Sequence, residues 1–216
     1  MHYGAAGHDS GRRDFGQCGV ERAAASRCAA ASWHRALARA LLAIGLALAA
    51  VACAPRFDWR DHRGADGLAA TFPGRVQSAT RGVELAGYRL EMRMDATRVD
   101  NLSFVIAAAR LPDASEATRS ALVTAIEAGL LRNIDARAVG QRHLVTIATE
   151  SGAAPLSALG FEADGHDQNG ALHISARIFA SGPYVYQVLV AGPRAAMGEP
   201  ETKEAVDTFM TSLRPP

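Results

Sequence analysis

The feature that most limits what this chain can fold into is a charge-free run, Ala40 to Ala52, reading ALLAIGLALAAVA behind Arg35 and Arg39. In a helix those 13 residues span about 20 Å, short of a bilayer core of roughly 30 Å. A basic flank, a short apolar run and small residues at its end make a secretory signal, not a membrane span. Everything before Cys53 is therefore expected outside the fold. Residues 1–34 lack periodicity and hold Cys18 and Cys28. They read as an over-extended start, with Val20 or Leu37 as alternative start positions.

Cys53 follows Leu48-Ala49-Ala50-Val51-Ala52. This context resembles the bacterial lipoprotein signal, in which the cysteine becomes the first residue and carries acyl chains. It departs from that pattern at Ala50, where leucine is commonest. Ala50-Val51-Ala52 also reads as an ordinary A-x-A cleavage site. Both readings export the protein. One acyl chain holds a protein to a membrane only marginally, whereas several make a lasting tether. Ala54 stands where inner-membrane lipoproteins of enteric bacteria usually carry Asp, so the resemblance implies the outer membrane, facing the periplasm.

Residues 53–216 carry 17 basic and 19 acidic side chains. That balance excludes capture of nucleic acid by bulk electrostatics. A chain of 164 residues builds one domain with a substantial core. Its only cysteine is Cys53, which removes disulfides, thiol catalysis and cysteine metal sites together. Residues 53–67 mix charges without a repeating period and read as a tether reaching about 50 Å. Phe57 and Trp59 within it either pack on the domain or rest at the lipid interface.

From residue 68 the signals are of strands. Leu68–Phe72 ends at Pro73-Gly74, and Val76–Leu85 at Ala86-Gly87. In 88–96, Tyr88, Leu90, Met92 and Met94 alternate with Arg89, Glu91, Arg93 and Asp95, a half-solvated strand of an antiparallel sheet. Val99–Leu111 continues. Asp113 and Glu116 then have capping-box spacing, and Leu122, Ile126 and Leu130 recur every four residues, an amphipathic helix of about five turns. Further strands are His143–Glu150, Ala158–Asp164, Ala171–Ala180 and Tyr184–Ala191, with Asn169-Gly170 marking a hairpin. Pro200 opens a closing helix with Ala205, Val206, Phe209, Met210 and Leu213 on one face. The order is four strands, helix, four strands, helix. The expected class is α+β, a single twisted antiparallel sheet of about seven or eight strands with two helices packed on it, over residues 68–216.

This order resembles the PsbP-like domains, including the LpqN-type bacterial lipoproteins, and more narrowly proteobacterial lipoproteins with such a domain. The residues that carry the likeness are Phe72-Pro73 closing the first strand, the long helix after the fourth, and Phe209 near Ser212-Leu213. The resemblance covers most of 68–214 and implies a binding scaffold without a shared active site; fold analogy carries little function.

The chemical motifs are few. No G-x-S-x-G, H-E-x-x-H, P-loop or G-x-G-x-x-G occurs. Glu162, Asp164, His166 and Asp167 lie on one side of the hairpin and His173 on the other, carboxylates plus imidazole of a kind that hold a divalent metal. Asn169 stands where a calcium loop starting at Asp164 needs glycine, and polar residues around such a turn are usually its solvated end. Ser151, His143 and Asp135 lack a strained nucleophile turn. Met92 and Met94 read as core filler rather than a copper site. Tyr184 and Tyr186 share one face, either as core or as a contact patch. The expectation is a non-enzymatic envelope lipoprotein without cofactor, held to the membrane by Cys53 and binding an envelope protein or small ligand. The alternative is a periplasmic enzyme or metal-binding protein using the Glu162–His173 region.

Overall fold

The sheet is built outward from its most apolar strand. In the computed structural model, which describes residues 55–150, 152 and 154–216, that strand is β10 (Tyr184–Pro193). Val185, Tyr186, Val188 and Val190 within it are fully buried, because layers cover both of its faces. Its neighbours are β5 (Leu102–Arg110) on one side and β9 (Gly170–Ser181) on the other. Beyond β5 lie β4 (Tyr88–Val99) and the exposed edge strand β3 (Gln77–Leu85); beyond β9 lies β8 (Leu156–Asp167). The outer side of β8 is shared by β6 (Ala138–Val139) and β7 (His143–Ile147). These eight strands form one sheet, and every pairing in it is antiparallel.

Local chemistry sets the register. Leu85 pairs with Tyr88 across Ala86-Gly87, both at positive φ (49° and 81°), the backbone of a tight primed turn. Asp167 pairs with Gly170, as the Asn-Gly signal predicts, and the Asp167 carboxylate accepts the Asn169 N–H at 2.7 Å. Tyr184 pairs with Ser181 across Gly182-Pro183.

One helix, α1 (Glu116–Asn133), covers one face, burying Leu122, Ile126 and Leu130 against Phe161, Ile174, Ile178 and Val185. Its cap is Ser115 rather than Asp113: the Ser115 hydroxyl oxygen accepts the Thr118 N–H at 3.2 Å. Asp113 acts one step earlier, accepting the Ser115 N–H at 2.8 Å and the Thr118 hydroxyl at 2.9 Å. The far end of α1 is stitched to β8, where Ile134 accepts the His166 N–H at 2.6 Å.

The opposite face is covered by α2 (Arg194–Met197), α3 (Pro200–Thr211) and a separate ribbon of β1 (Arg60–Arg63) and β2 (Ala69–Phe72). Here the core is aromatic. Phe209 meets Phe72 at 5.1 Å and Phe104 at 5.4 Å, both edge-on, and Phe179 stacks on Tyr186 at 5.0 Å. Edge-on and offset geometries suit the ring quadrupoles. The chain end joins in, Ala69 and Arg214 exchanging backbone hydrogen bonds of 3.0 and 2.8 Å.

Three expectations are corrected. Residues 57–67 are folded rather than a tether: Phe57 is buried against Phe104, and β1 pairs with β2. The folded unit accordingly begins at Pro55, not Leu68. The charged side of β4 is not wholly solvated, because the ribbon covers Asp95, which is only 4% exposed. Cys53, the leader with Cys18 and Cys28, and Ser151 lie outside the described residues.

Candidate ligand-binding groove

Alternation along β8 and β9 sorts their side chains by face. Phe161, Ala163, Ile174, Ala176 and Ile178 turn toward α1. Gly160, Glu162, Asp164, His173, Ser175 and Arg177 form the other face and line a groove of about 510 Å³ closed by α2 and α3. On the α3 side it is walled by Lys203, Val206, Asp207 and Met210, spaced as one helical stripe. Arg194, Met197 and Gly198 close the α2 side, and His143 stands at the edge over Gly160. A Cβ at Gly160 would lie only 2.8 Å from Val145 and 2.9 Å from the His143 ring, so glycine is what lets that edge close down.

The hairpin cluster expected from the sequence does assemble, in part. Asp164 and His173 are cross-strand partners. His173 Nδ1 lies 2.7 Å from Asp164 Oδ1, and His173 Nε2 lies 3.9 Å from Glu162 Oε2. The other Asp164 oxygen receives Arg194 Nη2 at 3.4 Å. His166 and Asp167 stay exposed at the hairpin end. Asp164 is thus committed to an imidazole and a guanidinium, and the guanidinium brings positive charge to where a cation would sit. Among the described residues, no group of three or more His, Cys, Asp or Glu side chains is arranged to hold a metal. Among the described residues, no hydroxyl is bonded to His173 as a nucleophile would be. His143 faces the Gln141 carbonyl at 3.3 Å, and Asp135 lies 3.5 Å from Arg137, so neither joins a triad.

Sequence reasoning missed a half-buried arginine of the groove. Arg177 donates from Nη1 to the Met210 carbonyl at 2.7 Å, an orphan acceptor in the last turn of α3. Burial lowers its pKa, with the charge of Asp207 opposing. No carboxylate lies within ion-pair distance of it among the described residues, nor of Lys203 across the groove. The signal was present in the alternation: His173, Ser175 and Arg177 interleave with Ile174, Ala176 and Ile178.

Tyr184 and Tyr186 form no contact patch. Tyr186 is fully buried, and its hydroxyl donates to the Asp66 carbonyl at 3.3 Å. Burial pushes its pKa well above the ordinary value. Tyr184 leans on Tyr186 at 6.1 Å as part of the same core. Met92 is buried and Met94 packs beside it, as core filler.

The chain matches no protein-family model and no curated protein. Among the described residues, no helix is long and apolar enough to cross a membrane.

Proposed function

We propose that the protein is a lipid-anchored binding module of the cell envelope, tethered through Cys53, that holds a small ligand in the groove between β8–β9 and α2–α3 and does no chemistry on it. The outer membrane, periplasmic side, is the compartment that Ala54 favours. A PsbP-like scaffold suits this reading, and the contact of Phe72 with Phe209 joins two of the residues on which that resemblance rests.

The observation that carries the binding role is Arg177. A guanidinium has five N–H donors, and this one spends Nη1 on a backbone carbonyl in a groove of about 510 Å³, a size suited to small ligands. Lys203 lines the same groove, and Met197, Val206 and Met210 supply apolar wall. A planar anion on Arg177 with a short apolar body against the methionines satisfies both halves.

Calorimetric titration with short-chain carboxylates such as hexanoate and octanoate tests this. Binding is expected, and Arg177→Met should weaken it about 10-fold or more, the worth of one charge-assisted hydrogen bond. Absence of binding, or equal binding by the variant, overturns the assignment.

A further inference from the structure

The chain is pinned to the domain almost as soon as it leaves Cys53. Arg56 Nε reaches Asp100 at 2.9 Å, and its Nη1 reaches Glu199 at 3.2 Å and Glu201 at 3.4 Å. The guanidinium carbon lies 5.1 Å from the centre of the Phe57 ring, and Phe57 is buried. Asp58 donates its N–H to the Pro73 carbonyl at 3.1 Å. One end of the domain therefore gathers residues 56–59, the loop after β2, the β4–β5 turn and the start of α3.

Three peptide steps separate Cys53 from Arg56, a reach of about 11 Å at most. If acyl chains enter a bilayer at Cys53, the Arg56 clamp cannot stand farther than that from the headgroups. A domain held on so short a leash lies against the lipid rather than above it.

The pinned end carries a side chain suited to that position. Trp59, 36% exposed, is one of four exposed large apolar residues among those described, and its ring lies 5.9 Å from Phe57. Tryptophan prefers the membrane interface, where its ring meets lipid and its N–H meets water. Three acids, Asp100, Glu199 and Glu201, share the single Arg56, Asp58 pairs with Arg60, and Asp61 accepts the Thr71 hydroxyl. Arg75 and Arg98 are exposed there and form no ion pair among the described residues.

We infer that the face around Trp59 docks on the lipid surface, so that the domain lies on the membrane beside its anchor; the inference rests on acylation of Cys53. The groove's rim at Gly198 is one residue from Glu199, which sets the binding site next to this end.

The test uses two singularities of residues 53–216: one tryptophan, Trp59, and one cysteine, Cys53. Processed protein from cells making the full chain is placed in phosphatidylcholine/phosphatidylglycerol vesicles, with or without lipids brominated near the headgroup end of the chains. Emission from Trp59 should fall by about half or more with bromine present, as for a ring at headgroup level. A Gly/Ser insert of about 12 residues after Ala54, adding roughly 20 Å of reach, should restore much of it. Mass spectrometry of the same sample reports whether Cys53 is acylated. Acylated protein with unquenched Trp59 overturns the docking inference and leaves the anchor reading standing. Unacylated protein overturns the anchor reading, and coupling Cys53 to a maleimide phospholipid then decides docking independently by the same quenching.

Discussion

The imidazole Nε2 of His62 lies 3.0 Å from a buried carboxylate oxygen of Asp95, joining the β1–β2 ribbon to the sheet beneath it. The other Asp95 oxygen accepts the Ser78 hydroxyl at 2.5 Å and lies 3.2 Å from Arg93 Nη2. Burial alone would push the Asp95 pKa up, but the bonds from Ser78, His62 and Arg93 outweigh it and hold the carboxylate below its ordinary value of 3.8. A group depressed in the folded state stabilises fully above its unfolded pKa and loses that contribution as pH falls through the folded one. Asp95→Asn should therefore cost about 1–3 kcal/mol at neutral pH, the penalty of leaving buried partners unmet. Thermal melts from pH 7 down to 3 check this. The gap between wild type and variant should stay full above the ordinary carboxylate value and close below it; a gap that widens toward acid refutes the clamp.

Glycine at two strand positions should behave in opposite ways. A Cβ on Gly165 would overlap the Ile134 backbone carbonyl, the acceptor that ties the end of α1 to β8. No rotamer relieves that clash, so Gly165→Ala should cost about 1–3 kcal/mol. Gly82, in edge strand β3, has nothing within 4 Å of the same atom. Gly82→Ala should be neutral or stabilise by up to about 1 kcal/mol, through the unfolded state. Chemical denaturation of both variants is the check, and equal effects would contradict the close approach.

Ile126, 2% exposed at the centre of the α1 stripe, tests the helix face. Ile126→Ala should cost about 2–5 kcal/mol. Ile126→Asp should abolish the cooperative transition, because an unpaired charge would enter the core. Thr124, exposed two residues earlier, should accept Asp with little change. Reversal of the two Asp variants would mean the opposite face packs.

That stripe was legible because helical spacing is local: Leu122, Ile126 and Leu130 announce their face without reference to the rest of the chain. The strands flanking Ala86-Gly87 and Asn169-Gly170 were legible for the same reason. β1 was not. Arg60-Asp61-His62-Arg63 has no apolar member, and it is a strand only because the backbone of β2 stands opposite. Asp95 followed from that failure. It alternates with Met92 and Met94 like any solvated strand residue, and only the unforeseen ribbon buries it. Within the groove, the Asp164–His173 pairing could be read from the hairpin register. Alternation sets Arg177 on the same face as His173, but its burial could not be read, because that depends on α3 folding back across β9.

The ribbon also moves the start of the folding unit. A chain beginning at Pro55 keeps Phe57 against Phe104 and His62 on Asp95, and should be soluble, monomeric and cooperative in unfolding. A chain beginning at Leu68 lacks both and leaves Phe104 uncovered. It should lose at least about 3 kcal/mol, the usual cost of deleting a buried phenylalanine. Side-by-side calorimetry decides, and equal melting temperatures would return residues 55–67 to the role of a tether.

The last prediction concerns Cys53, which lies outside the described residues. If its thiol carries diacylglycerol as a thioether, the mature amino terminus should carry the mass of a diacylglyceryl cysteine at position 53, with one further acyl chain if the amino group is acylated as well. Cys53→Ser should then abolish incorporation of labelled palmitate without disturbing the fold, since the packed domain begins at Pro55. Fractionation of that variant is a poor readout, because an uncleaved run from Ala40 to Ala52 would still hold it to the inner membrane. The amino terminus of the wild-type protein is the clean one. A free amino group at Cys53 or beside it, with the protein released by osmotic shock, would make this a freely diffusing exported protein. It would also remove the short leash on which the membrane-facing position of Trp59 depends.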